Sequence, residues 1–527
     1  MKSIKKKWMV ITAGLAMVIF LLCGCGAPKA QGGTCGNNLS WYYEDHVLTI
    51  SGTGDMSYDE AAPWKDLRQY IQQVVIEEGC TSVAKWAFCG CGSLTEISLP
   101  DSLQTIDHSA FEECNSLKRI DLPDSLQTIG GSVFRSCDAL ERIDLPHSVQ
   151  SIGQRAFSNC DALTKVTLSD SLQTIEDHVF SDCDALTEID FPSSLKLIEW
   201  NAFSNCTSLE EITLPDSLQT IDHSAFEKCR MLKKVTLPDG LRSIGEYAFA
   251  NCSSLVEINF PSSLEVIDWH AFSACSSLAE IDLHSVRTIE AYAFEDCTAL
   301  TKIIFPDSCE VIGYDWFSGC TSLAEIELPA GLRIIEGSAF EGCTALAEIN
   351  FPSFLETIDG YAFKGCTALK KIALPDALQE VGIGAFADCH SLEKAILPDS
   401  LEVVRENMFC QCDALKEISL PDTIQSIEEG AFSGCSALTE INLPDSLETI
   451  GHRAFKGCTS LTEISLPKRL RSIGWGAFMD CSLLEDVTVS SFPNTIVINE
   501  KAFSGCEMLN DESIGQLKVQ RCFDDIF

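Results

Sequence analysis

Motifs that announce catalysis or nucleotide binding are missing from this 527-residue chain. It has no His-Glu-x-x-His, no Gly-x-Ser-x-Gly, no P-loop and no glycine fingerprint for dinucleotides. Its nine histidines are scattered singly, so no catalytic set is expected, and neither an enzymatic activity nor a cofactor or metal. Positive charge is scarce: 37 Lys and Arg stand against 77 Asp and Glu, a formal charge of −40. Such a field repels phosphate backbones and anionic headgroups, which argues against nucleic acid or a peripheral membrane role. Disorder is excluded by the apolar content of 46%. Long apolar runs are also missing, apart from one at the N-terminus.

That run is Trp8–Leu22, preceded by Lys2, Lys5, Lys6 and Lys7. Its length suits a signal peptide and is short for a membrane span. It ends in Leu22-Cys23-Gly24-Cys25, which resembles the bacterial lipobox. The resemblance implies cleavage before Cys25, lipidation of Cys25, and export to the cell surface with the membrane reached only through the lipid; an uncleaved anchor is the alternative. Residues 1–24 are then the signal peptide and 25–33 a flexible tether. Without the four leader lysines, 33 cations against 77 acids leave a charge near −44.

From residue 83 a 23-residue unit repeats, marked by one phenylalanine. Phe88, Phe111, Phe134 and their successors to Phe272 keep that spacing. Phe294 follows after 22, where the usual Pro-Asp-Ser-Leu turn has shrunk to His284-Ser285-Val286. The beat resumes at Phe317 and runs to Phe478, and Phe503 closes nineteen copies after 25. In each copy Leu-x-x-Ile-x-Leu, as in Leu94, Ile97 and Leu99, reads as a short strand. A proline follows in fifteen copies and ends it, since proline cannot donate to a ladder. A second segment, Leu103-x-x-Ile106, runs back, and Ala110-Phe111-x-x-Cys114 forms a corner. One such unit closes no core, but stacked units bury their Leu, Ile and Phe in ladders. The predicted fold is mostly β, a curved leucine-rich-repeat solenoid of about nineteen repeats over 83–506, with caps at 34–82 and 507–527. A short helix is expected around Asp511–Val519, and a monomer overall.

The Leu-Pro turn and the Ala-Phe-x-x-Cys corner resemble the BspA-type leucine-rich repeat of bacterial surface proteins. Leu39-Ser40-Trp41-Tyr42, Leu48-Thr49-Ile50-Ser51-Gly52-Thr53-Gly54 and Pro63-Trp64 are similar to the segment that precedes such repeats. The resemblance implies adhesion or protein binding at the cell surface, to an extracellular protein or glycan that it does not name. A passive surface rod is the remaining alternative.

Nineteen of the 27 cysteines fall three residues after a marker phenylalanine. That register makes them small, buried corner residues in reduced form. Off this ladder, Cys35 and Cys80 bracket the N-terminal segment and are the best candidates for a disulfide. The turn aspartates, such as Asp101, Asp216 and Asp445, are expected to bond backbone N–H groups after proline; a cation-binding ladder is the rival.

Function in a solenoid belongs to positions the core does not dictate. Outward strand positions are uniform and charged or short, as in Glu96, Arg119, Lys165 and Glu211. Two and three residues before the phenylalanine the sequence varies and turns aromatic in mid-chain: Trp200, His223, Tyr247, Trp269, His270, Tyr292 and Tyr314, with Tyr361 further on. Trp316, in the place of the usual alanine, is expected to join them. Aromatics in adjacent rungs make a rigid contact ridge for a protein or glycan; the alternative is that they only cover a neighbouring corner.

Overall fold

The computed structural model describes residues 28–489 and 496–513. Cys25, the leader and residues 514–527 lie outside them. The chain is a β-solenoid in which every marker phenylalanine heads one coil, here called a rung. Most rungs carry a short strand, usually of three residues, before the turn and a two-residue strand after it, such as Lys165–Thr167 and Thr174–Ile175. Both pair in parallel with the same strand one rung on, Lys165 with Glu188 and Thr220 with Ser243. The ladders absorb the irregular repeats, pairing Val266 with Thr288 and Ser472 with Val497.

The third side of the coil has no strand but is also laddered. In the rung of Phe111, the N–H groups of Ser109, Phe111 and Glu113 donate to Gly131, Val133 and Arg135 one rung on. Residues two before and two after the phenylalanine are left-handed there, with φ of 53° at Ser109 and 61° at Glu113. Short polar residues or glycine tolerate this conformation, and most rungs use them.

Inside, the phenylalanines form one stack. Neighbouring ring centroids lie between 5.0 and 5.9 Å apart from Phe88 to Phe503. Trp64 extends the stack at the N-terminal end, 5.6 Å from Phe88, and its Nε1 donates to the Ala87 carbonyl at 2.7 Å. Each ring is fully buried, a gain of roughly 2–3 kcal/mol.

The ladder cysteines are reduced, and all but Cys506 are buried. They are more than small hydrophobes, because their thiols are hydrogen-bond donors. Cys229 Sγ donates to the Phe203 carbonyl at 3.2 Å, and every ladder thiol from Cys114 to Cys506 makes the equivalent bond to the preceding rung. Burial pushes the Cys229 thiol up to about 12, so it remains protonated. The proline turn corrects the sequence reading. Its serine, not its aspartate, secures it: Ser446 Oγ donates to Ile424 O at 2.6 Å and Ser263 Oγ to Leu241 O at 2.7 Å. Among the described residues no turn aspartate accepts an N–H of its own turn; Asp445 instead pairs with Lys468 at 2.7 Å.

At the N-terminal end, β1 (Gln31–Thr34), β2 (Leu39–Glu44) and β3 (Val47–Gly52) form an antiparallel meander. β3 pairs in parallel with Gln73–Ile76, and that strand with Glu96–Ser98 of the repeats. Residues 31–33, read in the sequence as the end of a tether, are thus strand. They pair with Trp41–Tyr43, and Gly33 leaves room for the Trp41 indole, whose Nε1 lies 2.9 Å from where a Cβ would sit. The expected Cys35–Cys80 disulfide is also absent: both are buried free thiols, and Cys80 Sγ donates to Ser82 O at 3.3 Å. At the far end Ser513 Oγ accepts the Val487 N–H at 2.9 Å, covering a donor on the last strand edge. The expected helix begins at Asp511, and residues past 513 lie outside the described ones.

Candidate functional site

The aromatic positions lie on the strandless corner of the coil and form two columns. Trp200, His223, Trp269 and Tyr314 stand three residues before their phenylalanine; Tyr247, His270, Tyr292 and Tyr361 stand two before. The second column is the left-handed position, with φ of 54° at Tyr247 and His270, 60° at Tyr292 and 59° at Tyr361. A bulky side chain there costs about 1–2 kcal/mol. Rungs with Gly384 or Gly430 avoid the cost, and Asn201 or Asn407 lessen it, whereas Trp86, Arg155, His178 and Arg453 carry it as the central aromatics do.

What each ring does depends on the residue below it in the next rung. Where that residue is aromatic too, rings stack: Tyr247 on His270 at 4.7 Å and His270 on Tyr292 at 4.5 Å. Where it is glycine, the ring lies down along the solenoid. A Cβ on Gly337 would meet the Tyr314 ring at 2.7 Å, and one on Gly384 the Tyr361 ring at 2.6 Å. Tyr314 thereby spans three rungs, its hydroxyl donating to Asp359 Oδ2 at 3.2 Å, and stays 48% exposed. Trp269, equally exposed, donates its Nε1 to Glu290 at 3.2 Å. Trp200 packs edge-on against His223, centroids 6.0 Å apart.

Trp316 does not belong to this ridge. It is 7% exposed and packs edge-on against Phe317, because the position before the phenylalanine faces inward in every rung. Gly313 gives it space: a Cβ there would lie 2.3 Å from the indole Nε1.

Sequence reasoning missed the carboxylates between the rings. His223 Nδ1 lies 2.6 Å from Asp222 and its Nε2 3.4 Å from Glu246, and the Asp222 hydrogen bond raises its pKa. His270 Nδ1 lies 3.3 Å from Glu295. Burial, then the charges of Glu295 and Glu341, push the Asp315 carboxyl up to about 6. The Asp315 charge in turn raises the Tyr292 phenol. The signal was present, since these acids occupy corner positions as variable as the aromatic ones. No described group of His, Cys, Asp or Glu side chains is arranged to hold a metal ion. No helix among the described residues is long and apolar enough to cross a membrane.

The profile of the BspA type leucine rich repeat region matches residues 67–187, 173–301, 287–416 and 404–522. The chain belongs to that family. Among solved structures it is similar to a leucine-rich repeat protein from Bacteroides ovatus, 25% identical over 86% of this chain and 93% of that one, with a TM-score of 0.44. It is also similar to one from Eubacterium ventriosum, 20% identical over 82% and 95%, TM-score 0.37. A leucine rich cell surface protein from Faecalibacterium prausnitzii is 19% identical over 89% and 97%, TM-score 0.27. No curated protein matches.

Proposed function

We propose that this is a lipid-anchored surface protein that recognises an extracellular partner through the central corner of its solenoid. The observation that carries the reading is the placement of Tyr247, His270 and Tyr292 in successive left-handed positions. Core packing does not require aromatics there, since other rungs close the same corner with serine or glycine. The left-handed backbone is common to the rungs, but three successive aromatics stacked on it are particular to this stretch and point to use of the side chains. The resemblance to BspA-type surface proteins and the Cys25 lipobox support export and anchoring. Adhesion to a protein is the primary reading. Recognition of a glycan is the second, favoured by the open ring of Tyr314 lying over Gly337.

The test is a Trp200→Ala/Trp269→Ala/Tyr314→Ala variant of the full chain, assayed for adhesion to host or neighbouring cells. Loss of adhesion with unchanged circular dichroism is expected, and retained adhesion refutes the corner. Cys25→Ala is expected to move the protein from the membrane fraction to the soluble one. Unchanged fractionation would sink lipid anchoring.

A further inference from the structure

Charge along the corner is uneven. Five positions per rung face this side: four, three and two before the phenylalanine, and one and two after it. In the seven rungs from Phe226 to Phe363 these hold eleven acids and two lysines. The six rungs before them hold seven acids and three cations, and the six after them six and four. Both central lysines are already paired, Lys228 with Glu227 and Lys364 with Glu341, each at 2.8 Å. The acidic maximum therefore coincides with the aromatic ridge and offers no free cation.

Rings and carboxylates are also joined locally. Trp269 has Glu290 at its indole N–H, and Tyr314 has Asp359 at its hydroxyl and Glu336 accepting its backbone N–H at 3.1 Å. Both rings remain about half exposed. An aromatic face with an anion at its edge matches a guanidinium or ammonium group, which stacks on the ring and pairs with the carboxylate. An uncharged sugar would use the ring and leave the charge uncompensated, and an acidic glycan would be repelled.

We infer that the central corner binds a basic polypeptide segment lengthwise, with arginine or lysine side chains seated on Trp269 and Tyr314. This rests on the proposed recognition role and narrows its partner. The two rings are two rungs apart, and the stack advances 5.5 and 5.9 Å over those rungs. At roughly 3.4 Å per residue of extended chain, basic side chains about three residues apart reach both rings.

Fluorescence anisotropy with the full chain and a labelled (Arg-Gly-Ser)4 peptide tests this. A same-length (Glu-Gly-Ser)4 peptide and chitohexaose serve as alternative probes. Trp269→Ala/Tyr314→Ala is expected to weaken arginine-peptide binding roughly tenfold or more. Glu290→Gln/Asp359→Asn, which keeps both rings, is expected to weaken it several-fold and flatten its salt dependence. Glu417→Gln/Glu440→Gln, removing the same charge from the strand face, is expected to change it less than about twofold. Equal losses from the corner and strand-face pairs would mean general attraction to an acidic rod and overturn the inference. So would chitohexaose binding that needs Trp269 and Tyr314 and is not displaced by the arginine peptide. Cell adhesion that depends on these rings without any arginine-peptide binding would leave the recognition role standing and remove only the basic partner.

Discussion

The rungs from Phe111 to Phe226 and those from Phe272 to Phe340 share one repeat but differ in regularity. In the first stretch ring centroids lie 5.2–5.5 Å apart with planes within 14°. In the second they reach 5.9 Å between Phe294 and Phe317, and the planes open to 20° between Phe317 and Phe340. The thiol bond is also longer there, 3.5 Å at Cys320 against 3.2 Å at Cys229. The sheet of two-residue strands breaks once in each stretch, between Ser151–Ile152 and Thr174–Ile175 and between Thr288–Ile289 and Val311–Ile312, so strand pairing does not separate them. Two sequence departures lie in this stretch, the residue lost at His284-Ser285-Val286, across which the rings stay 5.5 Å apart, and the indole of Trp316 in place of alanine; 5.9 Å recurs at Phe409, where Met408 fills that same place. Neither lies on the aromatic corner, since Trp316 faces inward and the shortened turn joins two strands, but both occur in rungs that carry it. Local consistency yields where the chain departs from its own rule.

Removing one ring from each stretch breaks the comparison most directly. Phe226→Ala should cost roughly 3–5 kcal/mol, because the regular rungs cannot collapse onto the cavity. Phe317→Ala should cost about 1–2 kcal/mol less, since its neighbours are already spread. Hydrogen exchange of the flanking rungs is the proper measurement, because solenoids can open locally. Equal losses would show that the wider spacing has no energetic counterpart.

Trp316 gives the next largest effect. Gly313→Ala places a methyl against the indole and should destabilise the chain by about 2 kcal/mol. In a Trp316→Ala background the same change should be nearly neutral. A double-mutant cycle with no coupling between these two positions would refute the account of the inward indole.

The repeat itself was legible because the core dictates it. Phe, Leu, Ile and Cys recur wherever a side chain must enter the stack, so period, strand placement and the 22-residue irregularity follow from spacing. What escaped depends on the neighbouring coil. Cys229 bonds Phe203, Ser446 bonds Ile424, and residues 31–33 find their partner strand at 41–43. No local sequence signal shows which way those polar atoms point. Trp316 was misplaced for a related reason: its aromatic character suggested the ridge, whereas its register, shared with the buried alanines, decides its direction. The columns of the corner were legible, but only the neighbouring rungs show which ring each carboxylate meets, as Glu290 meets Trp269 and Asp359 meets Tyr314.

Asp315 sharpens the contrast through pH. Its carboxyl titrates near 6 in the folded chain, above the ordinary carboxylate range. Keeping it charged therefore costs stability above pH 6, and the cost vanishes once the group is protonated in both states, below about pH 4. With discounting for solvent contact, Asp315→Asn should stabilise the chain by about 1 kcal/mol at pH 8 and leave it unchanged at pH 3.5. Chemical denaturation at the two pH values checks this, and equal effects at both would remove the crowded-carboxylate explanation.

The smallest stability change carries the most information about function. Tyr247 gains about 0.5–1.5 kcal/mol from stacking on His270, while its left-handed backbone costs about 1–2 kcal/mol. Asparagine relieves most of that strain and forfeits the stack, so Tyr247→Asn should leave stability within about 0.5 kcal/mol of the parent. At a serine rung, Ser224→Asn should be neutral or slightly stabilising, since asparagine tolerates the left-handed corner better than serine. If the tyrosine were instead part of the architecture, Tyr247→Asn alone would cost 2 kcal/mol or more on the order of a core substitution. That result would make the aromatic column a structural cover and take away the main support for a recognition corner. A neutral Tyr247→Asn that lowers partner binding separates the two roles, because only a side chain retained for contact can be lost without loss of fold.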